Sequence, residues 1–336
     1  MKSIHIVFPE KGNVSVEQEL LTPHKRGEIL CAAESSLVSI GTEMSCLRGV
    51  FDPGTNWESW VKYPFRPGYS TAGRVIAAGK DVKHLRIGDC IVAAVPHQQY
   101  FKLPADQVYL LPEGISAEEG AWAILATTTQ LGVRRAQLQL GERVGVVGLG
   151  MLGQLVVQYL AVAGCRQIVG IDTVPSRLEM ARSHGATDAL ALDVVSARAE
   201  IENLTDGSML DVVFDITGNP AVLAPTIQLL RQFGRLVLLG DTPTPTQQHL
   251  GPGVVSNSIS ILGIHGYARP QRGSNFFPWG AEEMVGLFFD YLRQGRMRVA
   301  ALITHRFSPL DAADAYAMLE RDRSAALGVV FDWNLV

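Results

Sequence analysis

The sequence predicts an α/β protein of two domains, one β-rich and one a doubly wound parallel sheet covered by helices. Three observations predict it. A chain of 336 residues with 47% hydrophobic and 18% charged composition suits a globular protein of about two domains, each able to bury a core. From residue 143 onward, short apolar β-rich runs alternate with helical stretches, the pattern of repeated β-α units. Before about residue 116 there is no long helical pattern, only short strands with Gly and Pro between them.

In chain order, the first third supplies the strands "GEILCAAESSLVSI" (27–40), "STAGRVIAAG" (70–79), "GDCIVAAV" (88–95) and "QQYFKLP" (98–104). The stretch "RVGVVGLGMLGQLVVQYLAVAGC" (143–165) carries no charge between Arg143 and Arg166 and is long enough to cross a bilayer. Its character changes midway, however. Residues 143–147 are β-rich, "GLGMLG" is a glycine turn, and Met151 to Ala163 is helical in pattern. Strand, turn and helix in that order form the context a dinucleotide fingerprint needs. Gly148 permits the tight turn, Gly150 lets the backbone approach a pyrophosphate, and Gly153 lets helix and strand pack closely. The first amides of the helix, from Met151 and Leu152, would hold the phosphates.

"QIVGID" (167–172) reads as the next buried strand, and Asp172 stands about 20 residues beyond the turn, where a carboxylate takes both adenosine ribose hydroxyls. Asp172 would also repel a 2′-phosphate, so NAD is expected over NADP; Arg177, on the next helix, is expected to bracket the ribose, although an arginine there can also serve a phosphate. "LDVVFDITG" (210–218), "GRLVLLG" (234–240) and "SISILGIHG" (258–266) are further strands ending near glycine, with a helix expected over 220–233. Ligands bind beyond the carboxyl ends of such strands, which makes Thr217, Gly218, Leu239, Gly240, Ile264 and His265 cofactor-side candidates; each glycine could equally just end its strand. "DTPTPTQQHLGPG" (241–253) is a polar, proline-rich loop. A helix is expected within 281–297, then strand, helix and strand within 301–333.

Charge and cysteine usage narrow the function classes. Net charge is −4, with Lys+Arg 29 against Asp+Glu 33 and no long run of one sign, which offers nothing to nucleic acid or an anionic membrane surface. Cys31, Cys46, Cys90 and Cys165 form no C-x-x-C, so neither a zinc ribbon nor a disulfide framework is suggested. A reducing cytoplasm is the expected compartment, and "MKSIHIVFPEKG" does not read as a signal peptide.

A β-rich first domain followed by "GERVGVVGLGMLG", "GIDTVPSRLEMARSHGA" and "FDITG" resembles the medium-chain dehydrogenase/reductase superfamily over nearly the whole chain, and "PGYSTAGRVIAAGKDVKHLRIGDCIV" (67–92) matches that family's GroES-like segment. The resemblance implies a GroES-like catalytic domain from both chain ends (1–123 and 267–336) and an inserted Rossmann domain (124–266). It also implies pairing of Rossmann sheets edge to edge through "SISILGI" (258–264), giving a homodimer or a dimer of dimers.

The departures from the family carry the most information. Where zinc-dependent members place ligands, this chain has Ile40, Tyr69 with Ser70, and Ala123, and the four-cysteine structural lobe is missing. Zinc needs thiolate, imidazole or carboxylate ligands in fixed geometry, so no metal is expected. A scattered site from Cys46, His97 and a carboxylate is the alternative, and no ligand spacing supports it. "S-x-G-T-E", "PGY", the "LITHR" strand and the "VVFDW" strand resemble the zinc-less branch that contains bacteriochlorophyllide dehydrogenase. That similarity implies hydride exchange between nicotinamide and a secondary alcohol or ketone, in a biosynthetic setting, without naming the substrate.

Without zinc, side chains must manage the proton and hold the substrate oxygen. By the same resemblance, Thr42 matches the hydroxyl that starts the family's relay, Ser45 a relay histidine further out, and Thr127 a residue that touches nicotinamide. Tyr69 occupies a vacated ligand position. His97 is the first-domain histidine expected to face the substrate, and its ordinary pKa suits reversible proton transfer. Tyr69 or His97 is expected to contact the oxygen, with Thr42 passing the proton outward and His265 as next suspect. Each has a structural reading too: a braced loop for Thr42 with Glu43, a packed aromatic for Tyr69, a surface or structural histidine for His97, a backbone role for His265, and a helix hydroxyl bonded to its own backbone for Thr127. Two other function classes stay open, an NADPH-dependent quinone or enoyl reductase and a non-catalytic dinucleotide-binding protein.

Overall fold

A computed structural model describes residues 1–336, and the chain divides into two units, Met1–Ile124 with Val285–Val336, and Leu125–Met284. The second boundary falls later than position 267. Residues beyond the last Rossmann strand still pack on that unit: Trp279 lies under the Arg134 guanidinium at 3.4 Å, Phe277 and Trp279 rest against its core, and the Met284 carbonyl accepts from Gln130 Nε2 at 3.1 Å.

The first unit is built on a seven-stranded sheet. Its main path runs Ile303–Phe307, Gly328–Asp332, Glu28–Leu37, Thr71–Ala78, Cys90–Ala93 and Val108–Leu110, with Tyr100–Pro104 also pairing with Glu28–Leu37. Both chain ends therefore meet in one sheet, through the antiparallel pair Val330 and Leu37. Along Glu28–Leu37 buried residues alternate with partly exposed ones, the period-two signature of a strand with one face on a core. That strand ends at Leu37, earlier than expected, and a helix not anticipated from the sequence occupies Ile40–Arg48. The Glu43 carboxylate takes the free Ser39 amide at its start, and Gly49, in the left-handed region at φ 59°, closes its end.

The second unit is a six-stranded parallel sheet in the order Asp188–Ala191, Gln167–Asp172, Arg143–Val147, Leu210–Asp215, Leu230–Leu238, Ser260–Gly263. Alternate residues feed two cores on opposite faces. Val144, Val146, Ile168, Val212, Phe214 and Val237 enter one, and Val147, Val169, Ile171, Leu210, Val213 and Leu236 enter the other. The uncharged stretch 143–165 is the strand Arg143–Val147 and the helix Met151–Ala163, and no helix of the chain is long and apolar enough to cross a membrane. The helix expected over 220–233 is shorter than its pattern. A 3₁₀ turn at Pro220–Val222 and a helix at Leu223–Ile227 give way to a strand from Leu230, because Leu230 pairs with Leu210 on the neighbouring strand.

Candidate functional site

In the second unit, the glycine turn closes on contacts only glycine allows. Gly148 has φ 90°, and a Cβ on Gly153 would lie 2.1 Å from the Gly148 carbonyl oxygen. Gly150 is the N-cap of the helix Met151–Ala163; it offers no side-chain cap, and a Cβ there would meet nothing within 4 Å. The helix start thus presents amides of Met151, Leu152 and Gly153 beside open space, which fits an anionic pyrophosphate.

Asp172 ends the adjacent strand. Its Oδ2 accepts the Leu149 amide at 2.7 Å, its Oδ1 accepts the Val174 amide at 2.9 Å, and Arg177 Nη1 stands 3.8 Å from Oδ2. The carboxylate therefore pins the glycine turn as well as standing at its expected place, and two oxygens have lone pairs to spare for ribose hydroxyls. Thr217 lies against the same turn: its Cγ2 would be 3.1 Å from a Cβ on Gly148. Its hydroxyl donates to Asp215 Oδ1 at 2.7 Å and accepts the Asn219 amide at 3.1 Å, so it is spent on its own loop. Gly218, at φ 61°, and Gly240 approach each other so closely that a Cβ on Gly240 would sit 2.5 Å from the Gly218 nitrogen.

The Leu239 and Ile264 side chains, at 5% and 9% exposure, belong to the core, so only their backbone is available to a ligand. Thr127 is fully buried on the helix Ala123–Arg135. His265 is exposed and stacks on Tyr267 at 5.7 Å. Its Nδ1 accepts the Tyr267 amide at 3.4 Å, which in the neutral ring leaves the proton on Nε2.

In the first unit the expected catalytic residues separate into two groups. Tyr69 Oη donates to Ser39 Oγ at 2.6 Å, and Ser39 Oγ reaches Thr42 Oγ1 at 3.3 Å. Two expected residues are thus joined by a third, Ser39, that sequence reasoning missed. Ser45 is not part of this chain, because its hydroxyl donates one turn back to the Gly41 carbonyl at 3.0 Å.

His97 is also set apart from it, which corrects the expectation that it faces a substrate. The ring is 0% exposed and both nitrogens are engaged, Nδ1 with Ser36 Oγ at 2.7 Å and Nε2 with Glu43 Oε2 at 3.1 Å. Glu43 Oε2 also accepts from Tyr316 Oη, while Trp333 Nε1 donates to Ser36 Oγ at 2.9 Å. One set of protons satisfies every member: Trp333 to Ser36, Ser36 to Nδ1 of a neutral His97, and His97 Nε2–H with Tyr316 O–H to Glu43. Burial, then the Glu43 charge, pushes the Tyr316 phenol well up, which keeps it a donor. Ser36, Tyr316 and Trp333 come from distant parts of the chain, and no local pattern marks them. Ser39 had a local signal, a serine just before a helix whose first turn carries Glu43.

The donor chemistry does not fit zinc. The Tyr69 phenol is held by Ser39, Ser70 Oγ donates to the Ala121 carbonyl, and Ile40 and Ala123 are apolar. Burial and then Glu43 push the Cys46 thiol up, away from the thiolate a metal needs, and no group of three His, Cys, Asp or Glu side chains is placed to hold an ion.

Comparison with known proteins agrees with this architecture. A family model described as zinc-binding dehydrogenase matches residues 152–282. Sorbitol dehydrogenase of Bacillus subtilis is 28% identical over 292 residues, covering 76% of this chain and 77% of that protein. Among solved structures, a candidate zinc-binding dehydrogenase of Sinorhizobium meliloti bound to NADP superposes with a TM-score of 0.80 at 20% identity, covering 99% of both chains. An alcohol dehydrogenase of Escherichia coli complexed with NADH superposes with a TM-score of 0.79 at 20% identity, covering 98% of this chain and 99% of that one. In its glycine turn, its sheet order and these similarities, the chain resembles the medium-chain dehydrogenase/reductase superfamily.

Proposed function

We propose that this protein is a zinc-independent, NAD-dependent oxidoreductase that moves a hydride between nicotinamide and a secondary alcohol or ketone of small, polyol-like type. The observation that supports the reading is the hydrogen-bonded hydroxyl chain Tyr69–Ser39–Thr42, in which, by the family resemblance, Tyr69 matches a metal-ligand position and Thr42 the relay hydroxyl. The dinucleotide, when bound, supplies the hydride chemistry. The turn Gly148–Gly153 and Asp172 hold it, with Arg177, Thr217, Gly218, Gly240 and the backbone of Leu239, Ile264 and His265 as its further surroundings.

Tyr69 is the group that meets the substrate oxygen. Its phenol donates a hydrogen bond where negative charge develops during ketone reduction and accepts the proton during alcohol oxidation. Thr42, half-buried, carries the outer end of the relay. His97 supports the fold beneath it rather than touching substrate.

NAD(H) is expected to bind more tightly than NADP(H), since Asp172 meets a 2′-phosphate as a like charge. Calorimetry with both cofactors, followed by oxidation of an alcohol panel, tests the reading. Equal affinities remove the NAD preference. Tighter NADPH with quinone reduction would favour the reductase class, and binding without turnover a non-catalytic protein. Elemental analysis showing one zinc per chain, with activity lost to chelators, would refute metal independence. The strand Ser260–Gly263 pairs on one side only and carries Ile261 and Leu262, so a homodimer through this edge is expected; a monomer by light scattering across a wide concentration range would contradict it.

A further inference from the structure

We infer that Ser39 is the central link of a proton wire from Tyr69 to Thr42, and that the buried Glu43 carboxylate is what holds this link in register. The inference rests on the dehydrogenase reading above and gives a role to the serine of the S-x-G-T-E stretch, Ser39.

The geometry is specific. Ser39 Oγ accepts from Tyr69 Oη at 2.6 Å and donates toward Thr42 Oγ1 at 3.3 Å, so one hydroxyl sits between the other two with the donors pointing in one direction. A hydroxyl has one proton and two lone pairs, so it can take a proton on one side and release its own on the other. Ser39 is also the N-cap of the helix Ile40–Arg48, yet its side chain makes no cap hydrogen bond. An N-cap serine ordinarily turns its oxygen to the helix amides. Here Glu43 Oε1 does part of that work from within the helix, accepting the Ser39 amide itself at 2.7 Å. The Ser39 hydroxyl is thereby left to Tyr69 and Thr42. Glu43 is fixed in turn by Tyr316 and His97, so the serine is held by a carboxylate that cannot readily turn.

The proton balance closes. As the carbinol C–H hydride leaves with two electrons, the alcohol O–H proton passes to Tyr69 Oη. The Tyr69 proton passes to Ser39 Oγ, the Ser39 proton to Thr42 Oγ1, and the Thr42 proton to water. Every hydroxyl ends neutral, and the net products are a ketone, the reduced cofactor and one proton in solvent. Reduction runs the same wire backwards. Ser39 touches Tyr69 and not the substrate, so it is a positioning residue.

The test uses the full-length chain with NAD and a panel of sorbitol, 2,3-butanediol and 2-propanol, taking whichever alcohol the unmodified protein oxidises fastest. Ser39→Ala is expected to lower kcat by roughly 10²–10⁴-fold, the range for losing a proton-transfer group, with KM and NADH affinity changed by less than about twofold. Its oxidation rate should climb with pH more steeply than the parent's, as hydroxide replaces the wire. Ser39→Thr, which restores the hydroxyl, should recover kcat to within about tenfold of the parent. Circular dichroism melts of both variants separate a folding defect from a lost wire. Parental kcat and pH profile in Ser39→Ala would overturn the inference while leaving the dehydrogenase reading intact. So would a Ser39→Thr protein that is folded but no faster than Ser39→Ala. No oxidation of any panel alcohol by the unmodified protein would overturn the small-alcohol dehydrogenase reading and the wire with it.

Discussion

Two carboxylates, one in each unit, are buried to nearly the same degree and are held in opposite ways. Glu43 is 1% exposed and Asp215 is 3% exposed. Glu43 lies in the first turn of a helix, where the backbone dipole favours negative charge, and draws donors from three places: the Ser39 amide, His97 Nε2 and Tyr316 Oη. Asp215 ends a strand. One of its oxygens takes both the Thr217 amide at 3.0 Å and the Thr217 hydroxyl at 2.7 Å. Burial pushes the Asp215 carboxyl up, and the two Thr217 bonds offset only part of that. Burial alone therefore does not decide how a carboxylate serves a fold. The number and origin of its donors do, and they make Glu43 a junction between distant segments and Asp215 a local plug.

The sharpest way to break the contrast is Glu43→Leu. It leaves the Ser39 amide, His97 and Tyr316 facing an apolar side chain, and it should cost about 3–5 kcal/mol, the usual penalty for removing one member of a buried charged network. Urea unfolding of the intact protein measures it, and a loss below about 1 kcal/mol would mean the three donors find water instead. Tyr316→Phe removes a single donor to a charged group and should cost about 1.5–3 kcal/mol. In the double variant the two losses should fall well short of adding, because both act on one network.

A third carboxylate, Asp172, sharpens the comparison from the functional side. Its side chain is 8% exposed, and it spends both oxygens on the backbone of the glycine turn and the next loop. Asp172→Ala should therefore weaken NAD by at least about tenfold, or about 1.4 kcal/mol, through loss of both the proposed ribose contact and the pinned turn. NADP should weaken less, because the like charge is removed at the same time, so the preference narrows. An Asp172→Ala protein that keeps parental NAD affinity by calorimetry would show that the turn holds itself.

What could be read in advance follows from how each site is assembled. The dinucleotide turn is made of backbone within one strand–turn–helix segment, so Gly148, Gly150 and Gly153 announce it by spacing alone. The strand alternation of the second unit was legible for the same reason. The hydroxyl chain joins residues 39, 42 and 69, and its support adds residues 36, 97, 316 and 333, which only the closed sheet of the first unit brings together. His97 looked available because nothing near it in sequence foretells Ser36 or Glu43 on its two nitrogens. The helix Ile40–Arg48 was hidden because a run of small and β-branched residues leads into it, and the feature that starts it is a side chain reaching back from Glu43 to Ser39. The helix over 220–233 fails where Leu230 gains a neighbouring strand, a tertiary effect that a local pattern does not contain.

The smallest effect expected, and the one that tests the contrast from its other side, is that of Asp215→Asn. Because the folded-state pKa of Asp215 is raised above its ordinary value of 3.8, the native protein binds more protons than the unfolded chain between that value and the raised one. The stability contributed by this group is complete below its unfolded pKa and is lost as pH rises through the folded one. Asparagine does not titrate, and its carbonyl can still accept from the Thr217 amide and hydroxyl. Relative to the parent, Asp215→Asn should therefore gain stability as pH rises from about 4 towards 7. Melting temperatures of the two proteins across that range measure the trend. Should Asp215→Asn be the less stable protein at pH 7, or should the gap stay flat with pH, Asp215 would resemble Glu43 after all, and the two units would treat buried charge alike.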